Sequence, residues 1–133
     1  MKYSPVFLYL VLLFFVSSCN EQLDISVTGT VTDIDTHEPV GNIKVQMRDG
    51  SARGHNAPIP VLTETITNSE GRYALNYTDE EYNSDIECID NHLVYHVGVA
   101  DGQGYAPGPG EEVYNLKCID GHQTVNLEVK KTE

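Results

Sequence analysis

Apolar and polar residues alternate along most of the chain, with the period of two that indicates β-strands. In the first such segment Ile25, Val27, Gly29 and Val31 alternate with serine and threonine. Similar segments follow at 43–47, 62–67, 73–77, 92–100 and 123–130. No segment has the period of an amphipathic helix, although residues 79–87 are compatible with a single helical turn. The pattern predicts six or seven short strands.

Turn-forming residues separate these strands. Glycine, proline, asparagine and aspartate are concentrated at 33–41, 49–60, 68–71 and 101–112. Such clusters interrupt strands because they favour turns or lack a backbone N–H. Short strands separated by turns predict an all-β fold, a single antiparallel β-sandwich of about seven strands.

The first nineteen residues have a different pattern. Lys2 is followed by an apolar run at 6–16, which is too short to cross about 30 Å of hydrocarbon as a helix and is typical of a signal peptide. The run ends in Val16-Ser17-Ser18-Cys19, which resembles the lipobox of bacterial lipoproteins. The resemblance implies cleavage after residue 18 and attachment of a diacylglycerol to the Cys19 thiol.

A lipid anchor at Cys19 predicts a bacterial cell-envelope protein, because two acyl chains are enough for stable membrane attachment. The residue after the cysteine is Asn20 rather than aspartate, which by the same resemblance favours the outer membrane. The predicted organisation is a signal peptide at 1–18, a lipidated tether at 19–24 and one β-sandwich domain at 25–133.

The charge of the chain restricts its partners. It contains 20 acidic and 8 basic residues, for a net charge of −12. Removal of residues 1–18 leaves 115 residues and changes this charge to −13, because the segment contains Lys2 and no acidic residue. Nucleic acids and anionic lipid headgroups repel such a domain. We therefore expect no nucleic-acid binding, and attachment to the membrane only through the acyl chains, with the domain held off the surface.

Three motifs in the first half of the domain resemble the carboxypeptidase regulatory-like family. They are VTGTVTD at 27–33, EPVGNIKV at 38–45 and TNSEGRY at 67–73. The order and spacing match over residues 25–77, although Val40 replaces the usual leucine and the segment 49–60 is an insertion. The resemblance implies a prealbumin-like sandwich without catalytic residues. The chain also contains no Gly-x-Ser-x-Gly or His-Glu-x-x-His motif, so no enzymatic activity is predicted.

Each motif contains residues with a predicted structural role. Gly29, in the interior of a strand, lets another backbone approach closely. Pro39 fixes φ at a turn, and Gly71 supplies the positive φ of a tight hairpin. Tyr73 is expected to place its ring in the core.

A short phrase occurs twice in the second half of the chain, as Cys88-Ile-Asp-Asn-His92 and Cys118-Ile-Asp-Gly-His122. Apolar residues follow at the same offsets from each histidine. The Asp-Asn and Asp-Gly steps favour turns. Both cysteines are therefore predicted to precede a turn that begins a strand, at one end of the sandwich.

Two interpretations of the doubled phrase remain open. With Cys19 lipidated, the other two cysteines lie in an oxidising compartment, where paired thiols commonly form a disulfide. A Cys88–Cys118 bond closes a loop of about thirty residues, which is worth roughly 3–4 kcal/mol. The alternative is a tetrahedral Zn²⁺ site at Cys88, His92, Cys118 and His122. It requires both thiolates, so the compartment favours the disulfide.

Other cofactor interpretations are weaker, and no cofactor is predicted. Asp33, Asp35 and Glu38 lie in one loop and have the oxygen ligands that Ca²⁺ prefers, but their spacing is not that of an EF-hand. A solvated acidic turn is the simpler interpretation. The acidic run at 79–81 is likewise interpreted as solvated.

The predicted function is that of a non-enzymatic, membrane-anchored accessory module. It would present the loops 49–60 and 101–112 to a protein or glycan partner, with Tyr105 and Tyr114 as candidate binding residues. One alternative is a structural or assembly component that pairs through an edge strand of the sandwich. Another is a zinc-binding lipoprotein that uses the doubled phrase.

Overall fold

Residues 21–51, 58–100, 103–108 and 114–133 are described by a computed structural model. They form two five-stranded sheets, which confirms the predicted all-β sandwich. The elements are β1 (Glu21–Asp33), β2 (Lys44–Asp49), β3 (Val61–Ile66), β4 (Arg72–Tyr82), the single-turn helix α1 (Ser84–Glu87), β5 (Cys88–Ile89), β6 (His92–Val99), β7 (Tyr105–Pro107), β8 (Tyr114–Lys117), β9 (Gly121–Thr124) and β10 (Leu127–Lys131).

The first sheet is built around β1 and has the order β4-β1-β10-β7. β4 pairs with β1 in the antiparallel direction over residues 21–30 of β1. β9 and then β10 lie in series along the other side of β1, both parallel to it. The pairing is thus antiparallel, as predicted, except where β1 meets the last two strands. β9 and β10 together occupy the place of one interrupted strand. This interruption is one reason why the strands outnumber the predicted seven.

The second sheet has the order β3-β2-β6-β5, and β8 also pairs with β6. All of these pairings are antiparallel. The hairpin from β5 to β6 turns at Asp90 and Asn91, with φ of 51° and 65°. Two consecutive residues with positive φ make the tight turn that suits the twist of antiparallel strands. The predicted turn after Cys88 is therefore confirmed.

The core lies between the two sheets and is formed by the inward-facing residues of the alternating segments. The apolar residues that follow the doubled phrase all belong to it: Tyr95, Val97, Val99, Val125, Leu127 and Val129. The first three lie in β6 of the second sheet. The last three lie in or next to β10 of the first sheet. The two copies of the phrase therefore supply opposite walls of the core.

The break between β9 and β10 explains two of the motif residues. A Cβ atom at Gly29 would lie 1.7 Å from the carbonyl oxygen of Val125, and the hydroxyl of Tyr73 donates a hydrogen bond of 2.6 Å to the same oxygen. The backbone N–H of Thr30 donates to Oδ1 of Asn126 at 3.1 Å, so a side-chain amide replaces a strand acceptor. The predictions for Gly29 and Tyr73 are confirmed.

The turn between β3 and β4 has the predicted glycine geometry, but it joins one sheet to the other rather than two paired strands, so the predicted hairpin is wrong. Gly71 has φ of 71°, and its N–H donates to the carbonyl of Asn68 at 2.9 Å. The side chain of Asn68 accepts hydrogen bonds from the N–H groups of Glu70 at 3.0 Å and Arg72 at 2.9 Å. Pro39 forms an isolated bridge with Thr32.

The start of the sandwich differs from the prediction. β1 begins at Glu21, which pairs with Tyr82, rather than at Ile25. Leu23 is already in the core, with 5% of its surface exposed. Only Cys19 and Asn20 of the predicted tether at 19–24 precede β1.

The predicted helical turn is also shorter than expected. Residues 79–82 belong to β4, and α1 begins at Ser84. Asn83 caps the helix, because its side-chain oxygen accepts a hydrogen bond of 3.0 Å from the N–H of Asp85. Within the described ranges, no helix has the length and apolar character needed to cross a membrane.

Candidate functional site

Cys88 and Cys118 form the predicted disulfide, with their Cα atoms 5.8 Å apart. Cys88 pairs with Leu93 in the β5–β6 hairpin, and the N–H of Cys118 donates to the carbonyl of Asn91 at 3.2 Å. The bond therefore ties the end of β8 to the hairpin that begins β6.

The two histidines of the doubled phrase lie in different sheets. Nδ1 of His92 is 3.0 Å from the carbonyl oxygen of Asp90, whereas Nε2 of His122 is 3.1 Å from the hydroxyl of Thr28. The disulfide occupies both sulfur atoms that the alternative zinc site requires. Among the residues that the structure describes, no group of three or more histidine, cysteine, aspartate or glutamate side chains is arranged to hold a metal ion.

The acidic loop at 33–38, interpreted from the sequence as a solvated turn with Ca²⁺ binding as the alternative, contains a buried aspartate. Asp33 is 8% exposed, and its Oδ1 accepts hydrogen bonds from the N–H groups of Asp35 at 2.8 Å and Thr36 at 3.1 Å. This carboxylate stabilises the turn that follows β1.

The disulfide lies at the end of the sandwich where β1 begins. Gly121 pairs with Ile25, and Oδ1 of Asp120 accepts a hydrogen bond of 3.1 Å from the N–H of Asp24. The start of β1, the end of β4, α1, the β5–β6 turn and the segment after β8 therefore meet there. We call residues 21–24, 82–91 and 118–120 the disulfide pole.

Three polar side chains converge beside this pole. The hydroxyl of Tyr95 donates to Oδ2 of Asp79 and lies 2.8 Å from Oε2 of Glu87. The ring of Tyr77 meets the ring of Tyr95 edge to face, with centroids 5.8 Å apart. Asp79 is 9% exposed, so the interpretation of residues 79–81 as a solvated run is wrong at this position. The alternation of Tyr73, Leu75 and Tyr77 continues to Asp79, and this signal places Asp79 on the inner face.

The environment separates the pKa values of the two carboxyl groups. Burial raises the pKa of Glu87, and the charge of nearby Asp79 adds to the increase. Burial alone would raise the pKa of Asp79 too, but hydrogen bonds from Tyr95, Glu87 and the Glu81 backbone outweigh it, so this pKa is lowered. Burial, reinforced by both carboxylates, raises the pKa of Tyr95. A tyrosine hydroxyl has only one proton to donate. Asp79, the carboxyl group whose pKa is lowered, is therefore its acceptor rather than Glu87.

Opposite pKa shifts predict opposite effects of neutral substitutions. The stabilising contribution of Glu87 is present below its ordinary pKa and is lost as the pH rises through its raised value in the folded state. We therefore expect Glu87→Gln to stabilise the domain at pH 7 by about 0.5–1 kcal/mol, with a smaller gain at pH 4. Urea denaturation at several pH values measures this effect.

Asp79→Asn is the matched control, because the lowered pKa of Asp79 contributes stability above its ordinary value and loses it as the pH falls. This variant is expected to be less stable than the parent at pH 7. The same sign for both variants would contradict the opposite pKa shifts of Glu87 and Asp79.

The candidate binding tyrosines lie in strands. Tyr105 begins β7, where it pairs with Lys131 and packs partly buried against the core. Tyr114 begins β8, pairs with Val97 and is 43% exposed. Half of the two predicted binding loops, at 52–57, 101–102 and 109–112, lies outside the described residues. Binding by Tyr105 and Tyr114 stays a prediction.

Most sheet edges in the described part of the chain carry protective features. β7 has three residues and contains Pro107, which has no backbone N–H to donate. The edges at β8 and β9 are bridged by Gln123, whose side-chain amide donates to the carbonyl of Lys117 and accepts from its N–H, both at 2.9 Å. The edge strand β4 carries the charged residues Glu80 and Glu81, which oppose pairing with another chain.

β3 is less protected than these edges. It pairs with β2 on one side, and no described strand pairs with its other side. Its outer face presents Val61, 46% exposed, and Ile66, 57% exposed. Its charged residue, Glu64, accepts a hydrogen bond of 2.9 Å from Gln46 and lies 3.6 Å from Lys44. The pKa of Glu64 is lowered, mainly by the hydrogen bond from Gln46 and further by the positive charge of Lys44.

Comparisons with known proteins identify related folds. Neither a protein-family model nor a curated protein matches the chain. Among solved structures, the shaft pilin SpaA from Lactobacillus rhamnosus GG aligns with a TM-score of 0.52 at 12% identity, over 85% of this chain and 52% of that one. A streptococcal ancillary pilin aligns with a TM-score of 0.50 at 13% identity, over 82% and 33%.

This chain therefore spans about half the length of the shaft pilin and a third of the ancillary pilin. At these identities the likeness concerns the fold alone. The described residues form an all-β sandwich similar in fold to parts of these two pilins.

Proposed function

We propose that this protein is a non-enzymatic structural component of a bacterial cell envelope, which assembles with another protein through the edge strand β3. The observation that carries the proposal is that β3 exposes Val61 and Ile66 and that its outer side has no partner among the described strands. An extended segment of a second protein can add to such an edge through backbone hydrogen bonds, while side-chain contacts give specificity. The similarity to pilin domains supports an assembly role.

The charge of the chain favours a different protein over a second copy as the partner. The net charge is −12, so two copies repel each other. Antiparallel pairing of two β3 strands about Glu64 would also place these carboxylates directly opposite, which is destabilising. The partner segment is therefore expected to alternate apolar residues, which contact Val61 and Ile66, with lysine or arginine.

The sequence supports a location for this assembly. The lipobox-like segment that ends at Cys19 supports a lipid anchor in the outer membrane, and Asn20 favours that membrane over the inner one. The motifs at 27–33, 38–45 and 67–73 support membership of the carboxypeptidase regulatory-like family. Neither feature supplies catalytic residues, which agrees with a structural role.

Site-specific photocrosslinking in intact cells tests the role of β3. A benzophenone amino acid at position 66 is expected to give one discrete adduct, in which the crosslinked peptide is apolar and basic. Val61→Lys should reduce this adduct at least about tenfold, since burying an unpaired charge against an apolar partner costs more than about 1.4 kcal/mol.

The same crosslinker at position 114 is the matched control, because Tyr114 is also exposed but begins β8. Adducts from position 114 alone would overturn the proposal and support recognition near the loop at 101–112 instead. An adduct from position 66 that survives Val61→Lys would also contradict strand addition at β3.

A further inference from the structure

We propose that the disulfide pole rests against the lipid surface, with Ile86, Ile89 and Ile119 in contact with a zwitterionic bilayer. This inference rests on the lipid anchor of the proposed function. It adds a second, non-covalent membrane contact and fixes which end of the sandwich faces the membrane.

The short connection to the anchor brings this pole to the membrane. Only Asn20 separates Cys19 from Glu21, the first residue of β1. Two residue steps span at most about 7 Å. β1 cannot detach to lengthen the connection without losing the pairing of Glu21 with Tyr82 and the burial of Leu23. A lipidated Cys19 therefore leaves no room for the domain to stand off the surface, in contrast to the expectation from charge alone.

Three large apolar side chains are exposed at this same pole. Ile86 in α1 is 64% exposed, Ile89 in β5 is 50% exposed, and Ile119 is 43% exposed. Single exposed apolar residues are common on protein surfaces. Here, however, Ile89 and Ile119 each follow a cysteine of the disulfide, whose Cα atoms are 5.8 Å apart. The disulfide holds the segments that carry them side by side at the end nearest the anchor.

The charge of the pole selects the kind of lipid. The disulfide pole, residues 21–24, 82–91 and 118–120, contains six aspartate and glutamate residues and no lysine or arginine. An anionic headgroup layer would repel this surface. The contact is therefore apolar in origin and strongest on phosphatidylcholine or phosphatidylethanolamine.

Tryptophan fluorescence tests the contact, because the chain contains no tryptophan. The full lipidated protein with Ile89→Trp is reconstituted into phosphatidylcholine vesicles with and without brominated acyl chains. We expect at least a twofold loss of emission from the brominated lipid. The matched control, Ile66→Trp at the opposite end of the sandwich, should lose little. Replacement of half the lipid by phosphatidylglycerol should weaken the quenching of Ile89→Trp.

Vesicle flotation of the same samples separates the two proposals. If the protein does not float with the vesicles, it has no lipid anchor, and both the anchor and this inference are overturned. Flotation without quenching of Ile89→Trp keeps the anchor and overturns the contact. Equal quenching of the tryptophans at positions 66 and 89 would mean that the domain has no fixed orientation on the membrane. Stronger quenching of Ile89→Trp in vesicles with phosphatidylglycerol would contradict an apolar contact. Both of these results overturn the inference.

Discussion

Gly29→Ala is expected to destabilise the sandwich by about 3 kcal/mol or more. The added Cβ would lie 1.7 Å from the carbonyl oxygen of Val125 and 2.9 Å from the ring of Tyr73. Neither neighbour can move freely, since the Tyr73 hydroxyl is hydrogen-bonded to that oxygen at 2.6 Å. The substitution therefore forces β1 away from the junction of β9 and β10. The midpoint of urea denaturation measures the loss.

Gly104→Ala is the matched control for this prediction. Gly104 has φ of 76°, and no atom lies within 4 Å of a Cβ built there. Its substitution should cost only the backbone strain of a positive φ, about 1 kcal/mol. Equal losses for the two alanine variants would contradict the claim that the approach of Val125 decides the requirement for glycine at position 29.

Removal of the disulfide is expected to have a similarly large effect. The double variant Cys88→Ala/Cys118→Ala should lose about 3–4 kcal/mol, because the bond closes a loop of about thirty residues. Small domains have a total stability of about 5–15 kcal/mol, so the variant should unfold at a much lower urea concentration. Reduction of the parent chain with dithiothreitol should give the same shift.

Zinc provides the control for the alternative role of the two cysteines. Addition of Zn²⁺ to the reduced parent chain is expected to leave its lowered denaturation midpoint unchanged. The four-ligand site would instead be supported if zinc restored the original midpoint of the reduced parent chain but not that of the reduced His92→Ala variant.

The sequence predicted those features that depend on neighbouring residues. Alternation identified the core positions of β1 and β6, the residues around Gly71 marked a tight turn, and those around Asp90 marked a hairpin. Gly29 stood out because glycine in a strand interior weakens the strand unless another group needs the space. The repeated phrase left a disulfide and a zinc site open, and the predicted compartment favoured the disulfide.

Features that depend on distant partners were not predictable in the same way. Glu21 and Gln22 look like a polar tether, and only pairing with β4 makes them part of β1. The alternation of β4 places Asp79 on the inner face, but the partners that hold it there, Tyr95 and Glu87, lie on other elements. Gln123 bridges two sheet edges, a role that no local pattern indicates. In each case a long-range contact decides the role of the residue.

The parallel pairing of β1 with β9 and β10 has a mechanical consequence. Because these strands run in the same direction, Glu21 and Lys131 lie at opposite ends of the sandwich. Tension applied between these residues pulls the strands past each other, so their hydrogen bonds must break together rather than one after another. The covalent loop between Cys88 and Cys118 cannot lengthen under that load. A domain built this way resists tension between these two residues for a time governed by its unfolding rate.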